Sequence, residues 1–316
     1  MAAINLQKAY LLQLSGGRAW EIGPCEGADE ELGSWVDEFS SCLGLMKGEK
    51  RTARKICIGR VLETNGRRVD CRSSFVPPLP VELPSEGWHE WSRSGAVLLR
   101  HPDVMDIFCG LYPSRSSFIE RMRHALVPVF DEIIATGGVP IHGALVEWRG
   151  AGALLLGESG AGKSTSCRRL PSDWQVHSDD LCLVVGNAGE GFRVHPMPTW
   201  SAVEAGDVRW PCFANRSVAV QALFRLRKSV QDRYEPISPA KAAVALTDAC
   251  AQALKPLYML NPRNSGALRS RIFDNAAALA RTVPAFRLQV SLTGRFWEKI
   301  EEILEKGDSP LFQLRG

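Results

Sequence analysis

The stretch Ala153-Leu-Leu-Leu-Gly-Glu-Ser-Gly-Ala-Gly-Lys-Ser164 decides the fold of the second half of the chain. Its first four residues form a short apolar run, which is typical of a buried β-strand. Three glycines follow within six residues, and a helix can begin at Lys163. A strand, a glycine-rich loop and a helix in this order match the pattern G-x-x-x-x-G-K-[ST] without departure. The stretch therefore predicts an α/β domain with a phosphate-binding loop at 157–164.

The residue types of this loop suit ATP and Mg²⁺. Glycines let the backbone wrap closely around an anion, and the N-terminus of the following helix favours the same negative charge. Lys163 would contact the β- and γ-phosphates, and Ser164 would hold Mg²⁺ through its hydroxyl. Thr165 is the weaker metal ligand, because its side chain lies about 100° around the helix from that of Ser164. The predicted nucleotide-binding residues are Gly157, Glu158, Ser159, Gly160, Ala161, Gly162, Lys163, Ser164 and Thr165.

Two adjacent carboxylates, Asp179 and Asp180, follow the loop after a short interval. One can hold Mg²⁺, and the other can accept a proton from an acceptor hydroxyl. A solvated turn before the strand at Leu181 is the alternative, but the nearby glycine loop favours function. In common motor proteins and GTPases the acid follows an apolar strand, whereas here the longer apolar run comes after the acids. The position of the acid pair therefore does not match the ordinary pattern of a motor protein or a GTPase.

The order of three motifs resembles the HPr kinase/phosphorylase family, whose core is similar to the nucleotide domain of phosphoenolpyruvate carboxykinase. The motifs are Ile141-His-Gly-Ala-Leu-Val146, the glycine loop and Ser178-Asp-Asp180, within about 139–185. The resemblance implies a P-loop kinase that moves the γ-phosphoryl group of ATP to a serine hydroxyl. It also implies catalytic roles for Lys163, for Asp179 as the base and for His142 beside the site, with Asp180 at the metal. Without the resemblance, His142 is better explained as a core or strand-end histidine.

The family's downstream Glu-x-Arg-Gly stretch has no counterpart here, which argues against HPr as the substrate and against the reverse phosphorolysis. The comparable region is His195-Pro-Met-Pro-Thr-Trp-Ser201. The whole chain is more similar to a diverged branch of that family, which includes the SynChlorMet cassette protein ScmC. The stretches that carry this similarity are Tyr10–Leu14, 196–201, Phe273-Asp-Asn275 and Phe296-Trp297. Some relatives act on serine in ribosomal peptides, so the resemblance implies a peptide among the candidate acceptors.

The organisation predicted from these patterns is an α/β P-loop kinase-like domain at 114–316, with a phosphoenolpyruvate carboxykinase-like nucleotide-binding core, and a mixed α+β accessory module at 1–113. The module should begin with a hairpin at 10–22 and contain a helix over 29–45. A helix is expected over 114–136, capped by Ser114 or Ser116 and interrupted at Pro128. Hairpins at 139–156 and 181–195, a strand at 218–226 and three later helices follow.

Composition narrows the class of protein. The 316 residues carry a formal net charge of +3, which does not favour nucleic acid as a partner. Nine cysteines without a C-x-x-C pair predict reduced thiols in a cytoplasmic protein. No signal peptide or membrane-length apolar run is visible, so no membrane association is expected. Self-association as a homo-oligomer is implied only by the resemblance.

Several further residues have two explanations each. His177 could contact the acids or lie on the surface, and 195–201 could line an acceptor pocket or serve as a stiff connection. Phosphoryl transfer favours an additional positive charge, although a solvated surface side chain is the commoner explanation of each candidate. These candidates are Arg225, Arg227, Lys228 and Arg263.

Three functions remain open from the sequence. The favoured one is a kinase acting on a hydroxyl of a peptide, a protein or a small metabolite. The second is a nucleotide-dependent switch or accessory protein in peptide maturation, which needs the loop but no catalytic base. The third is a phosphorylase or carboxykinase-type enzyme with another phosphoryl donor or acceptor.

Overall fold

The structure, a computed structural model, describes residues 5–50, 53–62, 74–92, 96–112, 117–187, 191–206, 211–258 and 265–307. The protein is an α/β protein with two mixed β-sheets. The chain divides into two compact units, Met1–Val129 and Phe130–Gly316, and each unit contains one of the sheets. The boundary suggested by the sequence, between 113 and 114, stays a prediction about domains. In the described part of the chain, every helix is too short or too polar to cross a bilayer.

The first unit is built on an eight-stranded sheet with the order β3-β1-β2-β4-β8-β7-β6, and β5 pairs with β4. The central strand β4 is parallel to β2 and β8, whereas its pairing with β5 and the outer pairs are antiparallel. The elements are β1 Tyr10–Leu14, β2 Arg18–Pro24, α1 Glu30–Cys42, β3 Met46–Lys47, β4 Arg54–Val61, β5 Phe75–Val76, β6 His89–Ser92, β7 Ala96–His101, β8 Val104–Leu111 and α2 Phe118–Ala125. The predicted hairpin at 10–22 is confirmed by the pairing of β1 with β2.

Local signals explain how the helices of this unit begin. Asp29 caps α1, because its carboxylate accepts a hydrogen bond from the backbone N–H of Leu32 at 2.8 Å. Ser117 caps α2 in the same way, so the expected cap at Ser114 or Ser116 is wrong. The next helix, α3 Val127–Ala135, begins one residue before Pro128. Proline is tolerated in the first turn of a helix, so the predicted interruption appears as two separate helices.

The second unit contains a sheet with the order β10-β9-β12-β13-β14-β16-β15, in which β11 pairs with β9 and β10 also pairs with β14. Only the β10–β14 and β14–β16 pairs of this order are parallel among the described residues. The elements are β9 Val139–Trp148, β10 Ala151–Leu156, α4 Lys163–Arg169, β11 Trp174–Ser178, β12 Leu181–Asn187, β13 Gly191–Pro196, α5 Trp200–Ala205, β14 Val218–Lys228, β15 Arg233–Pro236, α6 Pro239–Tyr258, α7 Ser265–Thr282, β16 Ala285–Val290 and α8 Phe296–Gly307.

The core of the second unit places β10 at its centre. All six residues of β10 are buried, because this strand is covered by neighbours on both edges and both faces. Phe224 and Leu226 of β14 pack in the same cluster as Phe296 and Ile300 of α8. Burying one such side chain contributes about 1.5–3 kcal/mol, so this packing fixes the carboxyl ends of β10 and β14. The glycine loop leaves the sheet at that position.

The eight cysteines in the described part of the chain all carry free thiols. Cys109 is completely buried, and burial raises the pKa of its thiol. The pKa of the Cys250 thiol is likewise raised by burial, to about 12. A buried thiol with a raised pKa is protonated and unreactive near neutral pH. The expectation of buried thiols is therefore confirmed for these two residues, whereas Cys42 is only partly buried and Cys71 lies outside the described residues.

Candidate functional site

The glycine loop connects the buried strand β10 to the helix α4, as the sequence predicted. Gly160 has a φ of 78° and Gly162 a φ of 101°, which are backbone conformations that side chains with a Cβ rarely adopt. Gly157 is needed for a different reason, because a Cβ there would lie 2.7 Å from the Cβ of Ala161. The loop can therefore curl tightly in front of the first turn of α4.

Replacing Gly162 with alanine should destabilise the protein and weaken nucleotide binding. A non-glycine residue in a rarely populated backbone conformation costs about 1–3 kcal/mol, and Gly162 is the residue immediately before α4. Urea denaturation and ATP-analogue titration would measure both effects. Gly266→Ala is the matched control, since it lies in the first turn of α7 with open space around it. Equal stability of the Gly162 variant and the wild type would contradict this account of the loop.

Lys163 lies at the start of α4 with only 7% of its surface exposed. Its Nζ donates hydrogen bonds to the backbone oxygens of Gly157 at 2.8 Å and Glu158 at 3.3 Å. Burial lowers the pKa of Lys163, while the nearby carboxylates of Asp180 and Asp179 act in the opposite direction. The ammonium group is thus held between the loop and the acid pair.

One cavity of about 480 Å³ brings together most of the predicted site residues. It is lined by His142, Ser159, Gly160, Ala161, Gly162, Lys163, Ser164, Thr165, Ser166, Arg169, Asp179, Asp180, Thr199, Ser201, Lys228, Val290, Ser291 and Leu292. Gly157 and Glu158 are not among its walls, and they approach the site through their contacts with Lys163. The volume is within the usual range for a small-molecule site, about 300–1,000 Å³.

The acid pair lies in the short bend between β11 and β12. Asp179 is only 6% exposed, so the alternative of a solvated turn is wrong for this residue. Its Oδ1 accepts a hydrogen bond from the hydroxyl of Thr199 at 2.6 Å. Within the described part of the chain, Oδ1 is the only carboxylate oxygen of Asp179 that accepts a hydrogen bond. Oδ2 is therefore available to a ligand in the cavity.

Asp180 is oriented by β9. Its Oδ1 lies 3.0 Å from Nδ1 of His142, and its backbone oxygen accepts a hydrogen bond from the N–H of Gly143 at 3.0 Å. His142 stands opposite Leu181 in the antiparallel pairing of β9 with β12, which explains how it reaches this acid. His142, predicted to lie beside the site, therefore contacts Asp180, the predicted metal ligand, rather than Asp179, the predicted base.

The direction of the acid pair depends on an irregularity in β11. The register with β9 shifts between Val176 and Ser178, so His177 is the extra residue of a β-bulge. A bulge moves the following side chains to a new direction. The hydroxyl of Ser178 is then 2.9 Å from the backbone oxygens of both Leu181 and Met197. Ser178 thereby joins the bend to the end of β13 and holds the acids in place.

His177 contacts neither the acids nor the solvent, so both explanations of this residue from the sequence are wrong. It is 8% exposed, and its Nε2 lies 2.6 Å from Oε2 of Glu147 on β9. Arg216 also contacts Glu147, at 3.1 Å. Burial lowers the pKa of His177, while the hydrogen bond with Glu147 acts in the opposite direction. The bulge turned this side chain away from the cavity, which a pattern of neighbouring residues could not reveal.

His195 predicts a pH-dependent loss of stability. Burial lowers its pKa to about 4, and its Nδ1 lies 2.8 Å from the backbone oxygen of Ala214. The unfolded chain binds the proton near pH 6.5, so stability falls as the pH drops from 6.5 towards 4. The expected loss from this group between pH 7 and pH 5 is about 2 kcal/mol. Urea denaturation of the wild type and His195→Gln would check it, because an unchanged pH dependence in the variant would contradict the assignment.

The region after β13 contributes two residues to the site. The sequence had indicated the stretch 195–201 as a whole but no single residue in it. Thr199 and Ser201 line the cavity at the beginning of α5, a helix where the sequence indicated a stiff loop. Pro196 and Pro198 still restrict the backbone before this helix. Thr199 and Ser201 therefore line a cavity, and the role of this stretch in an acceptor pocket stays a prediction.

Arg169 is a site residue that the sequence did not indicate. Its Nη1 donates a hydrogen bond to the backbone oxygen of Ser291 at 2.6 Å, and its guanidinium lies 5.2 Å from the ring centroid of Phe296. The side chain therefore connects α4 with the segment before α8. No local signal indicated it, because six residues along a helix place Arg169 about 120° around the axis from Lys163.

The basic residues suggested for charge stabilisation separate into two groups. Lys228 lines the cavity that contains the acids. Arg225 and Arg227 line a different cavity, beside the first half of the glycine loop, and Lys228 borders that cavity as well. Arg263 lies outside the described residues.

Mg²⁺ fits the oxygen atoms of the cavity that contains the acid pair. Ser164 and Asp180 both line the cavity, and hydroxyl and carboxylate oxygens are the ligands that Mg²⁺ takes from proteins. In phosphate-binding enzymes one or two carboxylates are sufficient, because phosphate and water oxygens complete the shell. The described residues contain no group of three or more His, Cys, Asp and Glu side chains arranged around a metal.

Comparison with models of protein families gives a match over most of the second unit. The family model described as SynChlorMet cassette protein ScmC matches residues 107–305. This range includes the whole cavity and most of the second unit. No curated protein matches the chain.

Proposed function

The chain belongs to the SynChlorMet cassette protein ScmC family, and we propose that it is an ATP- and Mg²⁺-dependent kinase that phosphorylates a hydroxyl group. The observation that carries this proposal is the shared cavity of Lys163, Ser164, Asp179 and Asp180. A phosphate-binding loop alone fits many nucleotide-binding proteins. A buried carboxylate beside that loop adds a group that can accept a proton during transfer.

The loop residues bind and orient the nucleotide. The first turn of α4, Lys163 to Thr165, lines the cavity, and its backbone N–H groups would donate to phosphate oxygens. The ammonium of Lys163 is already directed to the loop by Gly157 and Glu158 and would exchange these carbonyl contacts for phosphate oxygens. Bound Mg²⁺, on Ser164 and Asp180, would neutralise phosphate charge. His142 keeps Asp180 oriented for that role.

Asp179 accepts the proton in this mechanism. The acceptor hydroxyl oxygen forms a bond with the γ-phosphorus, the bond from that phosphorus to the β,γ-bridging oxygen breaks, and ADP is the leaving group. The hydroxyl proton passes to the Asp179 carboxylate. Thr199 holds Oδ1 of this carboxylate, so Oδ2 would receive the proton. Thr199 acts as a positioning residue and keeps the carboxylate in one orientation.

The proposed relatives are kinases of the HPr kinase/phosphorylase type, with a phosphoenolpyruvate carboxykinase-like core. The support is the order of His142, the glycine loop and the acid pair, together with the contact between His142 and Asp180. The acceptor in the proposal is a serine or another hydroxyl of a peptide, a protein or a small metabolite. Ser201, which is exposed at the cavity wall, indicates where such an acceptor would enter.

Transfer from γ-labelled ATP tests the proposal. Full-length protein would be incubated with labelled ATP, Mg²⁺ and a size-fractionated extract of its host, with EDTA in a parallel reaction. Mg²⁺-dependent label in a peptide, protein or metabolite fraction is the expected result. Label that appears only as free phosphate, or stays in ATP that is demonstrably bound, would instead favour the nucleotide-dependent switch.

A further inference from the structure

A second cavity, of about 530 Å³, lies beside Gly157–Ala161 and is strongly basic. We call it the basic cleft. Among the described residues, Glu158 is the only carboxylate in its lining. The cationic side chains in its lining are Arg225, Arg227, Lys228 and Arg287.

Strand geometry explains why the arginines converge. Along β14, Phe224 and Leu226 are buried in the core with α8, so Arg225 and Arg227 point to the opposite face of the sheet. Arg287 of β16 stands directly beside Arg225 in the parallel pairing. Neighbouring strands lie about 4.8 Å apart and alternate residues about 6.6 Å apart, which sets the spacing of these three side chains.

This arrangement of charge is unfavourable without an anion. Like charges side by side on a sheet repel each other. Arg287 has a compensating ion pair with Glu235 on β15. Arg225, Arg227 and Lys228 form no ion pair within the part of the chain that the structure describes. Three positive charges in the cleft therefore lack an ion pair, and Glu158 is the only carboxylate in the described lining that could compensate them.

We propose that the basic cleft is a second anion site, which binds a small molecule carrying two or more phosphate groups. Guanidinium groups match phosphate oxygens in geometry and can bind two of them at once. The cleft has the volume of a small-ligand site. The two cavities share Ser159, Gly160, Ala161 and Lys228, but the acid pair and the first turn of α4 line only the first cavity, not the basic cleft. The inference concerns anion binding and does not depend on kinase activity.

Calorimetric titration of the full-length chain with inorganic tripolyphosphate tests this site. The titration would be run in excess Mg²⁺, with and without saturating AMP-PNP, a non-hydrolysable ATP analogue. The wild type should still bind tripolyphosphate when AMP-PNP is present. Arg225→Ala/Arg227→Ala should weaken that binding about tenfold or more and change AMP-PNP affinity less than about twofold. Both arginines are exposed, so the variant should fold normally.

A matched control removes the same charge elsewhere. Arg269→Ala/Arg271→Ala has the same spacing on the exposed surface of α7, and it should bind tripolyphosphate like the wild type. If this control weakens tripolyphosphate binding as much as the cleft variant does, the effect comes from net charge alone, and the proposal is overturned. Displacement of all tripolyphosphate by AMP-PNP, or a parallel loss of AMP-PNP affinity in the cleft variant, would show that the cleft is only the outer part of the nucleotide site. If AMP-PNP does not bind at all, the kinase proposal fails, while the tripolyphosphate titrations still test the cleft.

Discussion

Lys163→Met is expected to lower phosphoryl transfer from ATP by about 100-fold or more, because it removes a preorganised positive charge from a partly desolvated site. The side chain is 7% exposed, and its Nζ is directed by the carbonyls of Gly157 and Glu158. Its charge is therefore in position before a nucleotide arrives. The affinity for ATP should also fall, since Lys163 would contact phosphate in the bound state.

Lys163→Met should lose activity without losing stability. Burial lowers the pKa of Lys163, which means that the surroundings disfavour the ammonium form. Methionine is similar in length and carries no charge, so the free energy of unfolding should be unchanged or higher. Nucleotide titration and urea denaturation would measure the two quantities. Lys241→Met on the exposed surface of α6 is the control, and wild-type ATP binding by the Lys163 variant would contradict the assigned role.

The glycine loop was predictable because its signals are local. A buried apolar strand, glycines at constrained positions and a helix start all occur between Ala151 and Arg169. Each of these features depends on residues close in sequence, so one stretch was sufficient. The positive φ values of Gly160 and Gly162 are also a local property, because a tight loop requires such conformations and glycine adopts them readily.

The strand β8, Val104–Leu111, was not predicted although it lies inside the first sheet between β4 and β7. Its residues do not alternate cleanly between polar and apolar, because the second half of the strand is buried on both faces. Burial of that kind depends on partners about fifty residues away, such as Cys57 opposite Phe108. Short apolar runs without periodicity are ambiguous until those partners are known.

The contacts around Asp179 could not be predicted from residues close to it in sequence either. Thr199 reaches this carboxylate across twenty residues of sequence, and the connection needs the β12–β13 hairpin between them. The bulge at His177 adds a second long-range effect, because a shift of one residue reverses the direction of each following side chain. The sequence could place a pair of acids near the loop, but their orientation required the folded sheet.

Asp179→Asn should separate nucleotide binding from chemistry. Asparagine has the size of aspartate and can still accept a hydrogen bond from Thr199, but it cannot take up the acceptor's proton. The rate of transfer should therefore fall by about 10²–10⁴-fold, the usual contribution of a general base. ATP affinity should change by less than about threefold, because in the proposed mechanism Lys163 and the loop bind the phosphates.

Thr199→Val is the matched variant for this prediction. It removes the hydrogen bond to Asp179 with little change in volume and leaves the carboxylate able to accept a proton. A positioning role predicts an intermediate loss of transfer, about 10-fold, with unchanged ATP affinity. Label transfer and AMP-PNP titration of both variants would distinguish the two proposed functions. Undiminished label transfer by Asp179→Asn would exclude Asp179 as the base, whereas nucleotide binding without any label transfer, in the wild type as in both variants, would favour a switch that responds to nucleotide without transferring phosphate.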